Sequence, residues 1–154
     1  MSKPIAILSA SRTPLGGMMG SLSVLSAPQL GAAAIRSAVE RAAIDPSQVD
    51  EVLMGCVLTA GVGQAPARQA ALAAGLTQST ACTTINKVCG SAMKSVMMAS
   101  NALRAGQATI ALAGGMESMS RAPYLIPQGR QGYRFGHAQM LDHMQYDGLQ
   151  DAYQ

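Results

Sequence analysis

Aromatic and charged residues are both scarce in this chain of 154 residues. Trp is absent, and the single Phe and four Tyr, which make up 3% of the sequence, all follow Pro123. Charged residues account for 12%, about half of the usual share. Because 49% of the residues are hydrophobic, this composition excludes a disordered or strongly charge-driven protein. A core of Ala, Gly, Val, Leu, Ile and eleven Met must pack small side chains closely, which favours tightly layered elements.

Long apolar runs and clusters of basic residues are missing as well. No uninterrupted apolar stretch approaches the roughly 18 to 20 residues that a membrane-spanning helix needs. The formal charge of +3 comes from Lys and Arg scattered along the chain, without the interleaved aromatics typical of nucleic-acid binding. Met1 and the next three residues lead directly into a short apolar run, so no signal peptide is predicted. We therefore expect a cytoplasmic protein that binds neither nucleic acid nor a membrane.

Cysteine and histidine are too few and too widely spaced for a metal centre. The three cysteines are Cys56, Cys82 and Cys89. Their odd number and irregular spacing predict neither a disulfide framework nor a zinc site. His137, Asp142 and His143 match no metal-binding spacing either, and we expect them in a solvent-facing loop. We predict no metal and no bound cofactor.

Hydrophobic periodicity divides the chain into alternating strands and helices. Short runs rich in Val, Ile, Leu and Thr predict strands over residues 4–9, 51–59, 80–88 and 109–114. Apolar residues at helical spacing predict helices over residues 26–44, 64–75 and 90–105. This alternation is typical of an α/β fold with a mainly parallel sheet and helices on both faces.

Two of the predicted helices have a clear apolar face. In the first helix that face is predicted to be Leu30, Ala34, Ala38 and Ala42, with Ile35, Val39 and Ala43 beside it. In the third it is Met93, Val96, Met97, Ser100 and Leu103. The methionines at 93, 97, 98, 116 and 119 flank this third helix and the strand after it. We predict that they fill the core, with the lining of an apolar acyl pocket as the alternative. After Ser120 the periodicity is lost, so we place a boundary between residues 1–119 and 120–154.

Cys89 is the strongest candidate for chemistry, because it lies where the third predicted strand turns into the third predicted helix. The free N–H groups and the dipole of a helix N-terminus favour a thiolate there and can donate to an oxyanion. Gly90, Ser91 and Ala92 are small enough to keep the approach open, and Lys87 adds positive charge. The pattern predicts acyl transfer through a thioester. The alternative is an inert, packed cysteine, which is what most intracellular cysteines are.

The remaining chemistry-bearing residues are better explained by structural roles. Cys56 lies in the middle of a predicted strand and Cys82 at the start of another, so both are expected to be packed. Glu117 follows a strand, where a lone carboxylate is more often a hydrogen-bonding support than a catalytic acid. The run GVGQAP at 61–66 begins like a dinucleotide fingerprint, but its Pro predicts a turn. No histidine outside the irregular tail is available as the base that a cysteine nucleophile normally needs.

Several motifs follow one another along nearly the whole chain. They are RTP at 12–14 with Gly16 and Gly20, Leu30-Gly31, VDEV at 49–52 with Gly55, AGVGQAPARQA at 60–70, NKVC at 86–89, GGMESMS at 114–120 with APY at 122–124, and DGLQDAY at 147–153. Each is weak alone, but their order is specific. In this order the sequence resembles the thiolases, the family of acetyl-CoA acetyltransferases and 3-ketoacyl-CoA thiolases.

The resemblance implies roles for particular residues. Cys89 is implied to be the acylated nucleophile, with its own backbone N–H as half of an oxyanion hole, and Leu149 to contact the pantetheine of the substrate. The family fold is a five-layered αβαβα sandwich of two similar halves. Residues 1–119 are then the N-terminal half, and 120–154 are the beginning of a loop domain that covers the active site. Where the family usually has Ser-Gly near the nucleophile, Gly90-Ser91-Ala92 stands here, which changes the local shape of the pocket.

The resemblance also implies a reaction and partners. Thiolases condense two acetyl-CoA or cleave 3-ketoacyl-CoA in fatty acid metabolism, as homodimers or homotetramers. Family members are roughly two or three times longer than this chain, and their second half supplies an activating His and a second Cys. We therefore expect the 154-residue chain alone to be inactive. The alternatives are a non-catalytic or split-enzyme assembly module that needs a complementary C-terminal half, and, within enzymes, a decarboxylating ketoacyl synthase.

Overall fold

The computed structural model describes residues 4–153. Its helices are α1 (Ala27–Ala42), α2 (Pro66–Ala74) and α3 (Ser91–Arg104). The strands of its larger sheet are β1 (Glu51–Gly55), β2 (Ala81–Ile85) and β3 (Ala111–Gly115). After β3 the chain forms β4 (Tyr124–Leu125), β5 (Leu141–Asp142) and a π-helical segment, Met144–Leu149. Two short 3₁₀ turns precede β1 and β4, at Pro46–Gln48 and Met119–Arg121 respectively.

The larger sheet is parallel and has the strand order β2-β1-β3, so the predicted α/β fold is confirmed. Successive side chains of a strand point to opposite faces. On the central strand, Val52 and Met54 belong to the core formed with α1 and α2. Gly55 points the other way, because a Cβ built on it would meet Ser91 of α3. The sheet therefore has helices on both faces, as predicted.

The strands stop earlier at their carboxyl ends than the apolar runs suggest. The run predicted as a strand to Thr59 ends as β1 at Gly55, and the run predicted to Val88 ends as β2 at Ile85. The N–H of Cys56 still donates to the carbonyl of Ile85 in β2, and the chain leaves the sheet after it, where the Glu117 carboxylate accepts from the next two N–H groups. After β2, the side chains of Ser91 and Asn86 likewise accept from the N–H groups of Lys87 and Val88. Both strand ends open toward the same edge of the sheet, where the candidate site lies.

Helix α1 begins as predicted, and Ile35 and Val39 of its predicted apolar face are buried, but the centre of the buried face is shifted from the predicted stripe. Ser26 caps it in a capping box with Gln29, which satisfies two of the N–H groups that a helix start leaves free. The fully buried positions are Ala27, Pro28, Gly31, Ala32, Ile35 and Val39, whereas the predicted stripe of Leu30, Ala34, Ala38 and Ala42 is half-buried. Gly31 lies on the buried face because an added Cβ there would lie 2.6 Å from the sulfur of Met116 and 3.3 Å from the Cβ of Ala70 in α2.

The predicted strand over residues 4–9 is wrong. Ile7 is 88% exposed, and this segment is not part of either sheet. It lies beside α1, where the Ser9 hydroxyl donates to the carbonyl oxygen of Ala38 at 2.6 Å. An apolar run forms a strand only where a neighbouring strand completes its ladder. In the described part of the chain, β2 and β3 pair with β1, and residues 4–9 pair with neither.

Helix α3 packs on the sheet through small side chains, so the prediction that its flanking methionines fill the core is wrong for Met93, Met97 and Met119, which are exposed, and for Met98, which is half-buried outside the core. Ser91, Ser95, Ala99 and Ala102 are its buried residues. Met93 is 71% and Met97 55% exposed. The predicted apolar stripe therefore faces away from the sheet. The face with small residues packs on the sheet, because only small side chains allow the helix to approach it closely. Met116, by contrast, is buried in the core as predicted.

The segment after residue 120 is irregular, as predicted, but it is anchored. β4 and β5 form a two-stranded antiparallel sheet, and the N–H of His143 donates to the carbonyl of Pro123. The expectation that His143 faces solvent is wrong, since only 4% of it is exposed. Its two ring nitrogens have partners within the protein, which makes the burial of an imidazole tolerable.

Candidate active site

A tight turn between β2 and α3 carries Cys89. Val88 has φ of +46°, a left-handed conformation that is strained for a β-branched residue. The turn is held from both sides by Ser91, whose hydroxyl donates to the carbonyl of Val88 at 2.6 Å and accepts from the N–H of Lys87 at 2.8 Å. The Asn86 side chain accepts from the N–H of Val88 at 2.9 Å. These bonds fix the direction in which Cys89 leaves the sheet.

Two glycines at strand ends let α3 approach this turn. A Cβ on Gly55, at the end of β1, would lie 2.6 Å from the Cβ of Ser91 and 2.9 Å from the backbone nitrogen of Ala92. A Cβ on Gly115, at the end of β3, would lie 2.8 Å from the Cβ of Ala92. Contacts this short do not occur between real side-chain atoms. The first turn of α3 therefore rests directly on strand backbone at both positions.

Cys89 is exposed and immediately precedes Gly90, the N-cap residue of α3. The first N–H groups of a helix have no intrahelical partner, and its N-terminus carries a partial positive charge of about half an elementary charge. Both properties stabilise an anion, whether a thiolate sulfur or an oxyanion on a carbon attached to it. The predicted placement of Cys89 at a strand-to-helix junction is thus found in the fold.

An open groove of about 360 Å³ runs past Cys89. Its lining residues are Gly55, Val57, Leu58, Val88, Cys89, Ser91, Ala92, Gly115, Met116, Glu117, Met119, Met144, Gly148 and Leu149. The last three come from the π-helical segment of the tail, about 60 residues away in sequence from the turn between β2 and α3 that carries Cys89, called here the nucleophile turn after the predicted role of Cys89. Cys89 and Leu149, the two residues singled out by sequence, therefore line one groove. The lining is mostly apolar, and Met116 and Met119 contribute to it, which fits the alternative role considered for these methionines.

Glu117 lines the groove, but its oxygens are engaged by the backbone. One carboxylate oxygen accepts from the N–H of Val57 at 2.9 Å and the other from that of Leu58 at 3.0 Å. The thiol of Cys56 lies 3.6 Å from the second oxygen. The predicted supporting role of Glu117 agrees with this geometry. Burial, together with the negative charge of Glu117 and its hydrogen bond, raises the pKa of Cys56 to about 12, which keeps that thiol protonated.

Other residues predicted to be structural lie away from the groove. Cys56 is just beyond the end of β1 rather than in mid-strand, and 1% of it is exposed. Cys82 is half-buried in β2, where burial raises its pKa. Neither His137 nor His143 lines the groove. Among residues 4–153 no group of three potential metal ligands occurs, and no helix there is long and apolar enough to cross a membrane.

This chain is similar in sequence to known proteins. Residues 5–154 match the family described as "Thiolase, N-terminal domain". The chain belongs to the thiolase family. It is 54% identical over 149 residues to the acetyl-CoA acetyltransferase of Cupriavidus necator, an alignment that covers 97% of this chain and 38% of that protein. Acetyl-CoA acetyltransferase 1 of Arabidopsis thaliana is 52% identical over 151 residues, covering 98% of this chain and 36% of the relative.

The fold agrees with a solved thiolase. The crystal structure of the Acat5 thiolase from Ascaris suum in complex with coenzyme A superposes with a TM-score of 0.92 at 42% identity. That match covers 96% of this chain and 38% of the other. The chain thus spans a little over a third of the length of the thiolases that it matches, and its architecture is that of a thiolase N-terminal domain.

Sequence reasoning misses some residues that shape this candidate site. Gly55 and Gly115 were noted only as parts of motifs, although their missing side chains set the position of the nucleophile turn. Ser91 was treated as merely small, yet its hydroxyl holds that turn closed. The available signal is that β1 and β3 each end in a glycine. Close packing against another element is a common reason for a glycine in a strand.

Proposed function

We propose that the whole protein is a thiolase-type acyltransferase that uses Cys89 as its nucleophile. The observation that carries this proposal is the exposed thiol at the N-terminus of α3, inside an apolar groove. Family membership supports the reaction class. A lone cysteine elsewhere would be an unremarkable packed residue, as Cys56 is in this protein.

In the proposed reaction the Cys89 thiolate attacks the carbonyl carbon of an acyl-CoA. The carbon–sulfur bond to CoA breaks, CoA leaves as a thiolate that takes up a proton, and an acyl thioester remains on Cys89. Removal of a proton from the methyl group of a second acetyl-CoA gives an enolate. Its carbon attacks the carbonyl carbon of the Cys89 thioester, the bond from that carbon to the Cys89 sulfur breaks, and a 3-ketoacyl-CoA is released while Cys89 returns to the thiolate. Thiolytic cleavage is the reverse of these steps. The backbone N–H of Cys89 is proposed as one donor to the oxyanion.

The proposed ligand is coenzyme A bound as a thioester. Support comes from the Acat5 thiolase, whose structure is a complex with coenzyme A. In our chain Leu149 is 63% exposed on the groove wall opposite the nucleophile turn, where an apolar side chain is available to the pantetheine arm. We propose the cytoplasm as the compartment, because all three cysteines are free, as is usual in a reducing environment. Fatty acid metabolism is proposed as the setting on the family resemblance alone.

We further propose that residues 1–119 act as one half of a layered core and 120–154 as the start of a covering loop domain. The exposed apolar face of α3 supports this division. Met93, Val96 and Met97 are each more than half exposed on one helix face, and such a face is usually covered in an assembled protein. The same face favours the second candidate, an assembly module that joins a complementary half. A homodimer or homotetramer is the proposed state of the whole enzyme.

The test is detection of the acyl thioester. The whole protein is mixed with acetyl-CoA, quenched in acid and digested, and the peptides are analysed by mass spectrometry. We expect one acetyl group on Cys89, none after Cys89→Ala, and normal labelling after the control change Cys82→Ala. No acetyl group on the wild type, or labelling that persists in Cys89→Ala, would overturn the proposal.

The chain of 154 residues by itself is expected to give little or no turnover. In the described residues no imidazole lines the groove, so the base that removes a proton from acetyl-CoA has to come from elsewhere in the protein. Steady-state assays of the chain with and without a separately produced complementary half separate the two candidates. Thiolase turnover that appears only on mixing supports a split enzyme. Binding without turnover supports a module.

A further inference from the structure

The loop that follows β1 is held by acidic and imidazole side chains from two distant segments. On one side, Glu117 accepts from the N–H groups of Val57 and Leu58. On the other, the Nε2 atom of His143 accepts from the N–H of Ala60 at 3.3 Å. Glu117 comes from the segment after β3 and His143 from the tail. The loop is therefore clamped between the α/β part and the tail of the chain.

The hydrogen bonds of His143 indicate which tautomer of the neutral ring fits the site. A backbone N–H is always a donor, so Nε2 must offer a lone pair to Ala60. The proton of the neutral ring then lies on Nδ1, which is 2.5 Å from the Oδ2 atom of Asp147 and donates to it. The imidazole itself is buried, with 4% of His143 exposed, whereas the Asp147 carboxylate at the far end of the bridge is reached by solvent. In this tautomer the His143 ring links the carboxylate of Asp147 to the loop that follows β1.

The two partners of this bridge flank a wall of the Cys89 groove. The π-helical segment begins directly after His143, and Asp147 lies within it, next to Gly148 and Leu149. A Cβ on Gly148 would lie 3.1 Å from a methyl carbon of Leu58, so the wall rests on the same loop that the bridge holds. The bridge thus attaches this wall to the loop that follows β1, and Gly55 at the end of β1 in turn contacts the first turn of α3 next to Cys89.

We infer that His143 is a positioning residue for substrate binding, through the bridge from Ala60 to Asp147 that sets the groove wall carrying Leu149. This inference rests on the proposed function, since it assigns the groove to the acyl-CoA. His143 does not line the groove and takes no part in bond making. Its effect passes through the position of the wall and therefore falls on ligand binding.

Loss of the His143 bridge is expected to change KM for acyl-CoA much more than kcat. His143→Ala leaves the N–H of Ala60 and the carboxylate of Asp147 without their partners, and the wall loosens. The loss of the hydrogen bond to Ala60, and of the link that it makes between the loop and the wall, is expected to raise KM for acyl-CoA about tenfold. The value of kcat should change less than about twofold, because the turn that carries Cys89 is held by other residues. His143→Gln keeps one donor and one acceptor, so it should recover part of the loss.

The decisive experiment measures protection of Cys89 from alkylation in the whole protein. Iodoacetamide is added with increasing coenzyme A, and modification of Cys89 is followed by peptide mass spectrometry. We expect coenzyme A to protect the wild type and the control variant His137→Ala alike. His143→Ala should need about tenfold more coenzyme A, with an unchanged rate in its absence, and His143→Gln should lie between them.

The outcomes distinguish this inference from the proposed function. If coenzyme A protects the wild type and His143→Ala equally, the positioning role is wrong and the proposed function stands. If it protects neither, the assignment of the groove falls, and the role of His143 in ligand binding falls with it. Circular dichroism checks that each variant is folded. If His143→Ala does not fold, the comparison between wild type and His143→Gln decides, with equal protection again refuting the inference.

Discussion

The closest packing in the site makes Gly55→Ala its most informative single change. Gly55 ends the central strand and faces the first turn of α3. The added Cβ would lie 2.6 Å from the Cβ of Ser91 and 2.9 Å from both the Ser91 carbonyl carbon and the Ala92 nitrogen. Two of these three atoms belong to the backbone, so no rotation of a flexible side chain removes the overlap.

The size of the effect follows from these distances. Carbon atoms pack at about 3.5 to 4 Å, so the start of α3 has to move by about 1 Å. Overpacking of this kind costs about 1–3 kcal/mol of stability. A misplacement of about 1 Å at a catalytic group costs about a hundredfold in rate. Because Ser91 also holds the turn that carries Cys89, we expect Gly55→Ala to lose activity out of proportion to its loss of stability.

The assay compares the whole protein carrying Gly55→Ala with one carrying Gly17→Ala. Gly17 is a matched control, because a Cβ built on it meets nothing within 4 Å. Free energies of unfolding come from urea titrations, and kcat/KM from the thiolase reaction at a temperature where both variants remain folded. Wild-type stability and activity in Gly55→Ala would refute the argument that close contact with the strand end sets the nucleophile turn.

Two further predictions concern ionisable groups. Cys89, which is exposed, should react with iodoacetamide faster than Cys56, whose pKa burial raises to about 12, and equal rates by peptide mass spectrometry would contradict this. The carboxylate of Asp50 accepts from the N–H groups of Thr109 and Ile110, which lower its pKa. A lowered pKa contributes stability above the unfolded value, and that stability is lost as the pH falls through the folded one. Asp50→Asn should therefore unfold at a lower temperature at neutral pH and lose less on acidification, whereas parallel pH profiles in thermal scans would refute the linkage.

Local signals were sufficient for the three helices, for three of the four predicted strands and for the position of Cys89 at a strand-to-helix turn. The cap Ser26 set the start of α1, and Gly75 closes α2 in the left-handed conformation expected of a glycine there. The placement of Cys89 followed from the change of period between β2 and α3. In these cases the information lies within one or two turns of chain, which is the range over which a sequence pattern acts directly.

Long-range contacts explain what the patterns missed. The apolar stripe of α3 with Met93 was visible, but which face meets the sheet depends on Gly55 and Gly115, which belong to other strands. His143 was expected in solvent because its partner Ala60 lies 83 residues away in sequence. Residues 4–9 have the composition of a strand, but a strand also depends on a neighbour. Each error came from a partner that no local window contains.

The two walls of the groove are held in place by contacts in different parts of the chain. The turn that carries Cys89 is fixed by contacts within the α/β part, namely the hydroxyl of Ser91 and the close approach at Gly55. The opposite wall belongs to the tail and is attached through His143. Changes in the tail should therefore alter the affinity for ligand while leaving the reactivity of the thiol intact. Changes at the strand ends should alter that reactivity. This separation is the physical argument for treating residues 1–119 as the source of the nucleophile and 120–154 as the source of the binding wall.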